Sequence, residues 1–165
     1  MPFADLIDVV AICGFSVLLT VAALTDMTTL RVPNVLCVAI CLLYPLYVLN
    51  AAAAGDWFWS LALAIIVFAV ASVLFSLEFM GGGDVKLLAA TALWAGPDHM
   101  LVYLVGVTVA GGVLALVVLH HRIKAVGELW HASDGKEGKD ANSVPYGVAI
   151  AVGGFVVATR LLGIW

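Results

Sequence analysis

Charge is what this chain of 165 residues has least of: 11% of its residues are charged, against about a quarter in a soluble domain. That shortage excludes an ordinary water-soluble globule. Basic residues are scarcer than acidic ones, seven against eleven, and the net charge is −4. With no basic stripe and no recognisable module for it, nucleic acid is excluded as a partner. The cysteines Cys13, Cys37 and Cys41 form no CxxC pair, which removes the basis for a zinc knuckle or a thioredoxin-like site. Cys37 and Cys41 are four apart and share a helix face; their plain reading is small buried apolar residues. The opening MPFADLIDVV has no basic leader region, so no cleavable signal peptide is expected and the first apolar run should persist as a helix.

What the chain does have is apolar length, 64% of its residues being hydrophobic. A transmembrane helix takes about 20 such residues. The runs are continuous rather than alternating, which argues for helices over a barrel. Polar breaks divide residues 1–165 into spans at roughly 3–24, 34–54, 57–77, 84–96, 100–119 and 144–164. The expected fold is an all-α, polytopic membrane helix bundle of about six transmembrane helices in a single domain. The stretch 120–143 is expected to be a cytoplasmic loop. Within it Ile123, Val126 and Trp130 recur at helical spacing, as in a short helix lying in the interface. The segment from Ser133 to Ser143 reads as a polar connector.

Basic residues orient the bundle. Six of the seven, Arg31, Lys86, Arg122, Lys124, Lys136 and Lys139, fall on the side of the first, third and fifth connections. That side should be the cytoplasm, with both termini outside. Trp57, Trp59, Trp94 and Trp165 lie near the opposite ends of their spans, as an aromatic belt requires.

This topology places Asp26, at the end of the first span, on the same membrane face as Asp84, at the start of the fourth. Carboxylates at a membrane edge are costly and call for a function. Two of them held together share one proton more readily than they carry two charges, the logic by which aspartic proteases work. One then acts as base on a water while the other protonates a scissile carbonyl, with no metal, cofactor or covalent intermediate. Taken singly, each residue has a plainer reading: Asp26 as a solvated helix end, Gly81–Gly83 as a linker, Lys86 as a snorkelling anchor, Glu78 as an interfacial charge. The glycines before Asp84 permit unusual torsions and close approach by a backbone. A helix over 84–96 would be about 20 Å long against a hydrocarbon core of about 30 Å, which sets Asp84 below the cytoplasmic surface.

Three segments together resemble the type IV prepilin peptidase family: DMTTLRVPN (Asp26 to Asn34), GGGD (Gly81 to Asp84) and VPYG (Val144 to Gly147). GGGD fits the GxGD motif, which presenilin-type proteases share; the three segments in family order are more specific. The resemblance implies a membrane aspartyl endopeptidase with Asp26 and Asp84 as its catalytic pair. It implies supporting positions at Gly81, Gly83, Lys86, Arg31, Pro33, Asn34, Pro145, Tyr146 and Gly147. It further implies a pilin-like precursor as substrate, cut on the cytoplasmic face of a bacterial inner membrane, and a requirement for the lipid bilayer. Larger members carry an insert with paired cysteines and a methyltransferase activity, which this sequence gives no reason to carry over. The compact form resembles the peptidases of tight-adherence (Flp-type) pilus systems. Rival readings are a GxGD protease acting on other membrane proteins, a small proton- or ion-coupled transporter component, and a scaffold. A transporter would place acids in mid-helix along a path, and spans two to six show none away from their edges. A scaffold has no use for matched aspartates.

Overall fold

The computed structural model describes residues 2–50, 57–129 and 146–163. These form five helices: α1 (Pro2–Thr29), α2 (Asn34–Asn50), α3 (Trp57–Ser76), α4 (Gly82–Leu129) and α5 (Tyr146–Leu161). Three stretches are long and apolar enough to cross a membrane, Leu6–Thr29, Trp57–Ser76 and Gly82–His120; Asn34–Leu49 and Tyr146–Leu161 are shorter apolar helices. Large apolar side chains such as Val35, Leu42, Ile65, Leu101 and Leu116 stand exposed along the bundle, the inverse of a soluble fold and the expected state of a lipid-facing surface. Among the described residues the protein is all-helical, and its apolar helices and surface are those of a membrane protein.

The fourth and fifth expected runs follow one another with no loop between them, so that α4 holds both as two helical arms meeting at a kink. That element is bent sharply. Gly96 has non-helical, left-handed backbone torsions (φ 55°, ψ −170°) and Pro97 follows it, a pairing that ends one helix and starts another. The hydroxyl of Tyr103 donates to the carbonyl of Leu88 over 3.0 Å. In a straight helix residues that far apart in sequence would be separated by about 22 Å, so the arms 82–95 and 97–129 fold back on each other.

Two other boundaries move. α1 continues to Thr29, which puts Asp26 inside its last turn, and α4 continues to Leu129. Residues 120–129 of the expected loop are therefore helical and continuous with the preceding span. Trp130 and the polar segment after it lie outside the described residues, as do Pro145 and Trp165.

Helix ends are closed by main-chain geometry. The Leu30 N–H donates to the Asp26 carbonyl over 2.9 Å, with Leu30 left-handed at φ 52°. α3 ends in a Schellman motif, Phe79 N–H to Leu74 carbonyl and Glu78 N–H to Phe75 carbonyl, each 3.0 Å. The left-handed position of that motif usually holds glycine; here it holds Glu78, at φ 62°.

The core is built around α4 and α5. α4 packs on α2, α3 and α5, and α5 also packs on α1. The buried face of α5 is made of small residues, including Gly147, Ala151, Gly153, Gly154 and Ala158. A Cβ at Gly153 would stand 2.5 Å from Val107 Cγ2, and one at Gly154 2.5 Å from Leu19 Cδ1. Such closeness suits a medium where lipid tails are as apolar as leucine and association comes from packing.

At the arm of α4 before the bend, Trp94 stacks on Phe15 with ring centroids 4.5 Å apart and on Tyr47 at 5.5 Å. Its indole N–H donates to the Ile40 carbonyl over 3.1 Å. Trp94 is buried, which corrects its assignment to an aromatic belt: the indole ties α1, α2 and α4 together. Trp57 and Trp59 are exposed. Of the cysteines, only Cys37 is buried; Cys13 and Cys41 are exposed, which corrects the reading of Cys41, with Cys37, as a buried residue.

Candidate active site

One end of the bundle collects the C-terminal ends of α1 and α3 and the N-terminal ends of α4 and α5. Between them lies a cavity of about 600 Å³ lined in part by Asp26, Glu78, Gly81, Asp84 and Tyr146. Asp26 and Asp84, distant in sequence, are 2% and 8% exposed there and close enough to act on each other electrostatically. Buried carboxylates of this kind are rare unless partnered.

Each aspartate lies against the backbone of a motif glycine. For Asp26 it is Gly147, whose N–H donates to Oδ2 over 2.7 Å. A Cβ at Gly147 would stand 2.8 Å from that oxygen and 2.9 Å from both Cβ and Cγ of Asp26. Glycine is the residue that lets α5 start against the carboxylate. For Asp84 it is Gly81, against whose backbone the carboxylate lies: a Cβ there would stand 3.0 Å from Oδ2. Gly81 directly precedes α4 and Asp84 sits in its first turn, so the side chain reaches back over the start of the helix. Its other oxygen, Oδ1, is buried without a hydrogen-bond partner. A buried carboxylate oxygen without a partner, on a residue that lines the cavity, is a place for a water or a substrate donor.

Gly81, Gly82 and Gly83 do not use the left-handed region that was one reason for expecting glycine; among the described glycines only Gly96 and Gly163 do. Close approach is the operative reason. A Cβ at Gly83 would stand 3.1–3.2 Å from the backbone and Cβ of Val32. The loop after α1 therefore rests directly on the first turn of α4. Leu30, Arg31, Val32 and Asn34 form with Gly81–Asp84 a smaller chamber of about 300 Å³ that adjoins the main cavity through Leu30, Gly81 and Asp84.

The remaining predicted residues fall around this frame. Lys86 Nζ donates to Asn34 Oδ1 over 2.8 Å, joining the N-terminal parts of α4 and α2. The Pro33 carbonyl accepts the Leu36 N–H over 3.1 Å and so starts α2. Arg31 lines the small chamber, outside the main cavity. Tyr146 lines the main cavity beside Asp26; Pro145 lies outside the described residues. Sequence reasoning missed Val32 as a seat for Gly83, and missed Leu30, Phe75, Phe79 and Met80 as cavity walls. Their only signal in the sequence is adjacency to the aspartates and to the glycine run.

Chemically, the cavity offers two buried carboxylates, each set against a glycine backbone, one with a free acceptor oxygen. Such a pair can hold one proton and orient a water.

No curated protein matches the chain, and no solved structure does. The family model for the type IV leader peptidase family matches residues 13–116, more than half of the chain, including Asp26 and the run Gly81–Asp84. With that match added to the shared cavity of the two aspartates, the chain belongs to the type IV leader peptidase family.

Proposed function

We propose that the protein is a membrane aspartyl endopeptidase that removes the leader of a type IV, Flp-like prepilin at the cytoplasmic face of a bacterial inner membrane. The observation that carries this reading is the burial of Asp26 and Asp84 in one cavity at one end of the bundle.

In the proposed reaction, the ionised aspartate takes a proton from a water. The water oxygen bonds to the scissile carbonyl carbon while the protonated aspartate donates to the carbonyl oxygen. The tetrahedral intermediate then collapses: the carbon–nitrogen bond breaks, the leaving amine takes the proton the first aspartate had gained, and a hydroxyl of the intermediate returns its proton to the second aspartate as the carboxyl product forms. Gly147 N–H and the Gly81 backbone hold the two carboxylates in place for this exchange. A prepilin carries its leader in the cytoplasm by the positive-inside rule, which brings the scissile bond to the level of this cavity. Six membrane crossings, with both termini outside, follow if each arm of α4 crosses separately. A straight 39-residue span, Gly82–His120, would measure about 58 Å, nearly twice the hydrocarbon core.

The test is co-expression with a candidate prepilin, leader removal being followed by gel mobility. Asp26→Asn and Asp84→Asn should each abolish processing while leaving the protein in the membrane at wild-type level. Full processing by either variant overturns the paired-aspartate mechanism. Labelling of single cysteines at exposed position 78 and at position 57, from either side of the membrane, checks the orientation.

A further inference from the structure

A second cavity lies beside the first. α2 and α3 both pack on α4, while neither packs closely on the other. The gap between them is an open apolar cleft of about 530 Å³ with the first arm of α4 as its floor. Each wall turns the same pattern toward it. The lining residues recur at i, i+3, i+4 and i+7 from Asn34 to Cys41 on α2, from Leu61 to Phe68 on α3 and from Lys86 to Leu93 on α4. That is the stripe a helix shows to a packing partner. Three helices thus face a vacant helical position, and among the described residues no part of the chain fills it.

We propose that this cleft seats the apolar helical segment of the precursor that follows the scissile bond; the proposal rests on the proposed peptidase function. Two features favour a peptide helix over a lipid chain. The floor and wall carry small residues, Ala89 and Ala64, which let a helix backbone approach closely. The cleft also leads to the chemistry. Its Asn34 is shared with the small chamber of Gly81–Gly83 and Asp84, and that chamber shares Leu30, Gly81 and Asp84 with the cavity of both aspartates. A helix seated in the cleft has its preceding residues at Asn34 and Lys86, and an unwound stretch continues past the glycines to Asp84. The cleft thereby fixes where the cut falls relative to the membrane segment.

Cys41 lines the cleft and is exposed, whereas Cys13 is exposed on α1 outside the cleft. An inactive Asp84→Asn protein with Cys41 as its sole cysteine is reconstituted in phosphatidylethanolamine–phosphatidylglycerol vesicles. It is mixed with prepilins carrying single cysteines through the first two turns of the apolar segment and oxidised with copper phenanthroline in air. Disulfides should form at one substrate position per turn, and a protein with Cys13 alone should form none. In the active protein, Ala89→Leu should raise the KM for the precursor at least fivefold with kcat within twofold. Val109→Leu, in a separate lipid-facing cleft between α4 and α5, should leave both unchanged. No disulfide from Cys41, or an unaltered KM in Ala89→Leu, overturns the proposal and leaves the cleft to lipid. A wild-type chain that processes no prepilin overturns the function and this proposal together, whereas normal processing without these effects overturns this one alone.

Discussion

Replacing Gly147 by alanine adds a single methyl group where α5 meets Asp26. The added carbon would stand 2.9 Å from Asp26 Cβ and Cγ and 2.8 Å from Oδ2. Ordinary contact begins near 3.4 Å, so the two elements must separate by about half an ångström. Asp26 cannot swing aside, because two of the three obstructing atoms belong to the root of its side chain rather than to a flexible tip. α5 must therefore retreat, and the 2.7 Å hydrogen bond from Gly147 N–H to Oδ2 lengthens with it. Overpacking of this kind costs about 1–3 kcal/mol. The catalytic cost is larger than the stability cost suggests, since misplacement by about 1 Å can lower a rate about 100-fold. We expect Gly147→Ala to lower kcat/KM for prepilin cleavage by about 30- to 100-fold and to lower thermal stability in detergent measurably. Initial rates of leader removal, quantified on gels, provide the assay. Gly112→Ala is the matched control, because a Cβ there meets nothing within 4 Å; it should keep full activity and gain up to about 1 kcal/mol from helix propensity. If Gly147→Ala cleaves within threefold of wild type, the contact with Asp26 does not position the carboxylate and the reasoning fails.

Gly83→Ala drives a methyl into the Val32 backbone at 3.1–3.2 Å; it should destabilise by about 1–3 kcal/mol and slow cleavage, read from thermal midpoints and initial rates. Trp94→Ala removes the ring that joins α1, α2 and α4 and should cost about 3–5 kcal/mol in denaturant titration in micelles. Trp57→Ala, at an exposed ring, should cost far less in the same titration. Glu78→Gly relieves a left-handed residue at the end of α3 and should stabilise the fold by about 1 kcal/mol; a loss of stability would show that the Glu78 side chain holds α3 in place.

The sequence by itself determined that this is a helical membrane chain, since scarce charge and continuous apolar runs leave the backbone no other way to satisfy its hydrogen bonds. It also marked the break at Gly96–Pro97, because the torsions of those two residues are local properties. The segments around Asp26 and Asp84 were legible as motifs, and these are the ones that meet. Tertiary structure alone decided what each motif residue does. Gly83 is there to receive Val32 and Gly147 to receive Asp26, contacts between elements separated by long stretches of chain. It also decided that Trp94 is interior while Leu42 and Leu101 face outward, and that three helices leave a cleft between them. The physical reason is the solvent. In water, apolar residues mark the inside; in lipid, where both faces of a helix are apolar, hydrophobicity no longer separates inside from outside, and packing between small residues settles the arrangement.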